Sequence, residues 1–196
     1  MKLNQLAIQE CQILLNEASH RQIAVLRDEA GGQVVDCGVY ARGGLEVGIR
    51  LAQICLAGLG RVQIVPGEPS VWAGPSVTIR TDFPVAACMA SQYAGWQIAG
   101  EKFFAMGSGP MRALARREPL FDALDIAESS DVAVGVLESG KLPPDDACRD
   151  VAARCGVAPD RLALCVARTA SLAGTLQVVA RSVETALPDL GIGVYE

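Results

Sequence analysis

The stretch that decides the fold is LALCVARTASLAGTLQVVARSVETAL, residues 162–187. It begins with a strand-like apolar run over 162–167, and residues 169–187 follow with apolar side chains at helical spacing. The small polar residues Thr169 and Ser171 suit the start of a helix that faces a cleft. The stretch therefore predicts a strand leading into a helix that packs against a core.

The same helix carries a cation and a carboxylate, Arg181 and Glu184, three residues apart on one face. Most pairs at this spacing are solvated surface contacts that contribute about 0.2–0.5 kcal/mol. The alternative is that the pair carries the chemistry of a site at the edge of the apolar stripe. Spacing alone leaves both interpretations open.

Strand-like and helical runs alternate outward from this stretch, without an internal repeat. Strands are predicted at 23–27, 33–36, 62–65, 77–80, 102–105, 132–137 and 162–167, and after an N-terminal helix further helices are predicted over 45–58, 85–98, 111–117, 145–155 and 169–187.

Composition narrows the function classes. The chain has 196 residues, 51% of them hydrophobic, and a net charge of −5, which argues against a nucleic-acid partner. No segment is apolar enough over about 20 residues to span a membrane, and the N-terminus resembles neither a signal nor a transit peptide.

The seven cysteines form no C-x-x-C pair and are predicted to be small core residues of a reduced, cytoplasmic protein. The single histidine, His20, leaves little scope for a His-based metal or nucleophile site.

Two further segments offer groups that could bind a ligand. Gly107, Ser108 and Gly109 lie between a predicted strand and a helix, where backbone N–H groups could hold an anion, although plain turn chemistry explains them equally well. In residues 85–98, Tyr93 and Trp96 are either core residues or a platform for a flat ligand.

Several long strings, in their order and spacing, resemble the methenyltetrahydromethanopterin cyclohydrolase family across essentially the whole chain. They are DCG with GGLEVGIRLAQICLAGLG, PVAACMASQYAGWQI, FFAMGSGPMRALA, VLES and TASLAGTLQVVARSVETAL.

This resemblance implies an α+β fold with two interleaved lobes over 1–196 and a pterin pocket between them. It also implies hydrolysis of 5,10-methenyltetrahydromethanopterin to the 5-formyl derivative, with no metal or redox cofactor, by a cytoplasmic homo-oligomer reported as a trimer. Arg181 and Glu184 match the family's Arg and Glu in the pocket, with Glu184 expected as the base that deprotonates the attacking water. The matching strings further predict that the substrate pocket includes Ser91, Gln92, Tyr93, Gly107, Ser108, Gly109 and Ser171.

The chain also departs from the family pattern. Relatives continue beyond Glu196, and Pro188 is expected to end the last helix early. Arg168 stands where many relatives have proline. These departures lead to the expectation of a C-terminally short chain, and to an alternative function as a catalytically silent pterin-binding or assembly module.

Overall fold

The computed structural model describes residues 1–124 and 126–183, so Glu184 lies outside the described residues. The helices are α1 (Leu3–Asn16), α2 (Ala18–Arg21), α3 (Leu45–Cys55), α4 (Met111–Ala115), α5 (Leu120–Ala123), α6 (Asp145–Cys155) and α7 (Leu172–Ala180), with a π-helix at Val85–Gln92 and a 3-10 turn at Pro159–Arg161. The strands are β1 (Ala24–Arg27), β2 (Gln33–Gly38), β3 (Gly60–Val65), β4 (Ser76–Thr81), β5 (Trp96–Ala99), β6 (Phe104–Ser108), β7 (Ala133–Glu138) and β8 (Leu162–Ala167).

Six strands form one sheet in the order β1-β2-β8-β7-β6-β5. The three central strands β2, β8 and β7 run parallel, and the outer strands pair antiparallel to their neighbours. The carboxyl ends of the three parallel strands therefore meet at one edge of the sheet. In sheets of this kind that edge is where ligand sites form.

Strand β8 is buried along its whole length because helices cover both faces of the sheet. Its side chains alternate between two cores, as the period of a strand requires. Leu162, Leu164 and Val166 pack with residues of α6 on one face, and Ala163, Cys165 and Ala167 pack with residues of α1, α3 and α7 on the other.

A second, two-stranded sheet is formed by the hairpin of β3 and β4. Val62 of this hairpin joins a smaller core with Leu56, Cys88 and Leu176, which ties the hairpin to α3, α7 and the π-helix. The mixture of helices and strands confirms the α+β class. The division into two lobes stays a prediction.

The helix predicted over 85–98 is wrong in its second half. The π-helix ends at Gln92, and residues 96–99 form β5, paired with β6. Trp96 and Ile98 are buried while Gln97 and Ala99 are exposed, which is the alternation of a strand. Trp96 is thus a core residue.

The other predicted elements occur within a few residues of their bounds, and α6 and β8 have the predicted bounds. The predicted helix over 169–187 is observed as α7, and its continuation from residue 184 lies outside the described residues. The short helix α5 and the 3-10 turn were not predicted.

All seven cysteines are buried and unbridged, as predicted for small core residues. Within the described part of the chain, no helix has the length and apolar character needed to cross a bilayer.

Candidate functional site

A carboxylate organises the loop that follows β2 at the carboxyl edge of the sheet. Asp36 is 1% exposed, and its Oδ1 accepts the amides of Gly38 and Val39 at 3.0 and 2.7 Å. Its Oδ2 accepts those of Tyr40 and Ala41 at 2.8 and 2.9 Å. Burial by itself raises the pKa of Asp36, but the four amide bonds outweigh it and the pKa is lowered. Asp36 is therefore an anionic anchor for this loop.

Arg168, in the turn after β8, holds the same loop from the neighbouring strand. Its guanidinium donates to the carbonyls of Gly38, at 3.3 Å, and of Val39. Asp36 thus binds the amides of the loop while Arg168 binds its carbonyls. Arg168 therefore has a defined structural role in this loop.

The cation of the candidate pair is bound by a carboxylate from the sheet. Arg181 follows α7 and forms an ion pair with Glu138, the last residue of β7. The two side chains are only 15% and 10% exposed. Because the pair is shielded from water, the attraction between its charges is screened less than in an exposed surface pair. Glu184, the predicted partner in the chemistry, is not among the described residues.

The π-helix brings two predicted residues close to the end of α7. Gln92 is fully buried, and its Nε2 donates to the carbonyl of Ala180, next to Arg181, at 3.3 Å. Gln92 Oε1 and the hydroxyl of the equally buried Ser91 have no hydrogen-bond partner among the described residues. Buried polar atoms are normally satisfied, so these two are available to a ligand or to water.

The glycine-bearing joint lies beside the same segment, but Gly107 and Ser108 are the last two residues of β6 and only Gly109 follows the strand. The amide of Gly109, where φ is 93°, donates to the carbonyl of Ser91 at 2.8 Å, so this N–H is already bound within the protein. Ser108 is buried, and its hydroxyl donates to Val136 at 3.3 Å. Gly107 is buried and faces Leu137 of β7. Gly107 to Gly109 thus join the π-helix to the sheet.

The two remaining predicted residues are placed differently. Tyr93 lies at the end of the π-helix and is 38% exposed. Its ring packs on the guanidinium of Arg112, with 5.1 Å between the ring centroid and Arg112 Cζ. Ser171 caps the N-terminus of α7 by accepting the amide of Gly174 at 3.1 Å. It lies about 15 Å along the helix axis from Arg181, given a rise of about 1.5 Å per residue. The structure brings Ser91, Gln92 and Arg181 into one region and leaves Ser171 apart.

Glu138 is the site residue that the sequence reasoning missed. The signal that could have found it is its position: a carboxylate directly after an apolar strand reaches the edge where ligand sites form. Among the described residues, no three His, Cys, Asp or Glu side chains are grouped in a way that could hold a metal ion.

The fold and site define a class of protein: a layered α+β protein with a shielded arginine–carboxylate pair at the carboxyl edge of its parallel strands. Comparison with known sequences gives the family. The cyclohydrolase (MCH) family model matches residues 2–191, and the chain belongs to that family.

Curated relatives agree with this assignment. The chain is 49% identical to the methenyltetrahydromethanopterin cyclohydrolase of Rhodopirellula baltica, over 82% of this chain and 49% of that protein. It is 45% identical to that of Xanthobacter autotrophicus (90% and 52%) and 38% identical to that of Methanosarcina barkeri (95% and 59%). The chain spans about half the length of the curated relatives it matches.

Proposed function

We propose that this chain supplies the catalytic Arg–Glu pair for hydrolysis of 5,10-methenyltetrahydromethanopterin to 5-formyltetrahydromethanopterin, a reversible reaction. The names of its relatives support the substrate and the reaction. The structural observation that carries the proposal is the shielded ion pair of Arg181 and Glu138, at the end of α7 where Gln92 bonds the carbonyl of Ala180. Ser91 Oγ and Gln92 Oε1 in the same region are buried and have no hydrogen-bond partner within residues 1–124 and 126–183.

The substrate needs no prior activation by the protein. The methenyl carbon belongs to an amidinium cation and is already electrophilic. Water attacks this carbon while Glu184, as general base, takes its proton. The C–N10 bond then breaks as the hydroxyl of the adduct gives up its proton and becomes the formyl C=O on N5. One of the two protons that the water has lost goes to N10, and the other leaves Glu184 for solvent. The net products are the formyl pterin and one proton.

Each charged residue has a separate role in this proposal. Glu138 neutralises Arg181 in part and holds its guanidinium, since Arg181 Nη1 donates to Glu138 Oε1. Arg181 in turn orients the base, Glu184. The free acceptors Ser91 Oγ and Gln92 Oε1 are assigned to polar groups of the pterin, with Tyr93, Gly107, Ser108, Gly109 and Ser171 as further parts of the binding surface.

The test is turnover of the methenyl pterin, followed by loss of its ultraviolet absorbance. Glu184→Gln should lower kcat by about 10²- to 10⁴-fold, because the amide cannot accept the proton, with pterin affinity within a few-fold of wild type. Arg181→Lys should lower kcat by about 10- to 100-fold, because the loss of one charge-assisted bond is worth about 1.5–3 kcal/mol. Arg21→Lys, in the half-exposed pair with Glu17, is the matched control and should leave the rate unchanged.

Two outcomes would count against the assignment. Undiminished turnover in Glu184→Gln would exclude this residue as the base. A wild-type chain that binds the pterin without turnover would favour the alternative of a silent binding or assembly module.

The proposal extends to the setting of the reaction. It requires no metal or redox cofactor, so EDTA should leave turnover unchanged. We also propose a cytoplasmic homo-oligomer, a trimer by resemblance, which sedimentation equilibrium of the purified chain at micromolar concentration would test.

A further inference from the structure

Arg112 is a charged residue that the proposed reaction does not use, although its side chain is completely shielded from water. It lies in α4, directly after the Gly107–Gly109 joint. A buried guanidinium is costly unless it is paired and fully hydrogen-bonded, so its partners indicate what it does.

One side of the guanidinium is neutralised by Glu118. Arg112 Nε and Nη2 donate to the two carboxylate oxygens at 3.2 and 2.7 Å, a bidentate pair. The rings of Tyr93 and Phe121 lie 5.1 and 5.3 Å from the guanidinium carbon. Carboxylate and rings together fix the plane and the direction of the cation.

The other side of the guanidinium points at the end of the π-helix. Arg112 Nη1 donates to the carbonyls of Met89 and Ser91 at 3.2 and 3.3 Å, and lies 3.5 Å from that of Ala90. In a π-helix each amide bonds five residues back, as the amide of Tyr93 does to Cys88 at 2.9 Å. The last carbonyls therefore have no helical amide, and Arg112 caps them where the helix dipole favours a cation.

Ser91 is consequently held from two sides. Its carbonyl accepts both the Gly109 amide, at 2.8 Å, and Arg112 Nη1. Its hydroxyl is left without a partner among the described residues, as is the amide oxygen of Gln92. A long π-helix is a rare structure that is common at functional sites, and here a buried cation maintains its end.

We propose that Arg112 is a positioning residue for the substrate site: it fixes Ser91, Gln92 and Tyr93 by capping the π-helix, and so acts on ligand binding rather than on the chemical step. This inference rests on the proposed function for the identity of the ligand. It assigns Arg112 no contact with the substrate.

The test compares Arg112→Lys with a matched variant, Arg116→Lys. Arg116 directly follows α4 and donates to the carbonyls of Phe121 and Ile126 at 2.7 and 2.9 Å, and within the described part of the chain it makes no hydrogen bond to the π-helix. Lysine keeps the charge but cannot maintain the fork and the carbonyl bonds together. Arg112→Lys should weaken binding of the methenyl pterin by about tenfold with kcat within about threefold, and Arg116→Lys should leave both unchanged.

A second readout needs no ligand. Amide hydrogen exchange over residues 88–93 should accelerate by about tenfold in Arg112→Lys and not in Arg116→Lys. If Arg112→Lys does not fold, Glu118→Gln takes its place, because it keeps the guanidinium and weakens only its bidentate pair, with a smaller effect of about threefold expected.

The outcomes separate the two proposals. Wild-type affinity of the folded Arg112→Lys molecules would overturn the inference, and so would wild-type exchange over 88–93, because either result would mean that Arg112 does not act on binding by capping the π-helix. A wild-type chain that binds no methenyl pterin would refute the proposed function instead. The exchange over 88–93 would then decide the role of Arg112: acceleration supports it, and unchanged exchange overturns it.

Discussion

Replacing Asp36 by asparagine tests whether the loop at the carboxyl edge depends on a buried charge. The carboxylate accepts four amides, two on each oxygen, whereas asparagine has one acceptor oxygen and an NH2 group that would face two N–H donors. Two bonds are lost in either rotamer. Each charge-assisted bond contributes about 1.5–3 kcal/mol, so the gross loss is about 3 kcal/mol or more.

Two effects reduce that figure. Tyr40 is largely exposed, so water can replace part of what its amide loses, and the variant no longer buries a charge. The lowered pKa of Asp36 shows that its bonds outweigh the cost of burial. We therefore expect Asp36→Asn to reduce the free energy of unfolding by about 2 kcal/mol.

The assay is urea unfolding followed by circular dichroism, with Asp28→Asn as the matched control. Asp28 Oδ1 alone accepts the amides of Ala30 and Gly32, at 2.9 and 2.7 Å, and asparagine retains that oxygen. The control should cost less than about 0.5 kcal/mol. A loss of the same small size in Asp36→Asn, with an unchanged m-value, would refute the reasoning.

The pH dependence of the unfolding free energy tests the role of the Asp36 charge independently. Because the folded-state pKa of Asp36 is below the ordinary aspartate value of 3.8, its stabilisation is complete above that value and is lost as the pH falls through the lower, folded-state pKa. The difference in unfolding free energy between wild type and Asp36→Asn should therefore be constant near neutrality and shrink on acidification below about pH 3.8. A difference that grows on acidification would contradict this.

Two further substitutions test the packing beneath the site. Gly48→Ala should destabilise the chain by about 1–2 kcal/mol in urea unfolding despite alanine's higher helix propensity, because its Cβ would lie 2.8 Å from that of Leu176 across α3 and α7, while Gly140→Ala, at an open position, should change little. Asn4→Ala should cost about 1–3 kcal/mol in the same assay, because the buried amide of Val134 donates to Asn4 Oδ1 at 2.9 Å and would lose its acceptor; a loss below about 0.5 kcal/mol would mean that another acceptor replaces it.

The sequence by itself determined the elements whose patterns are local and strong. The six apolar residues of β8 and the helical period of α6 gave those bounds correctly, because a buried strand and an amphipathic helix each need only their own side-chain period. The burial of the cysteines followed from their apolar surroundings in the same way. The matching strings also gave the family, since they extend along the whole chain.

Residues 85–98 show where local pattern failed. Small residues and a helical spacing of Tyr93 and Trp96 favoured one helix, but pairing with β6 took residues 96–99 into the sheet and left a π-helix before them. Propensity is a weak prior, and hydrogen bonds to a neighbouring strand override it.

Only the tertiary structure decided the partners of the site's charges. Arg181 pairs with Glu138, 43 residues away, and Arg112 caps carbonyls more than 20 residues before it in the chain. The sequence showed the cations but not their partners, because contacts between distant residues are set by the order of strands in the sheet. That order depends on the burial of all its faces together, and no local pattern of side chains encodes it.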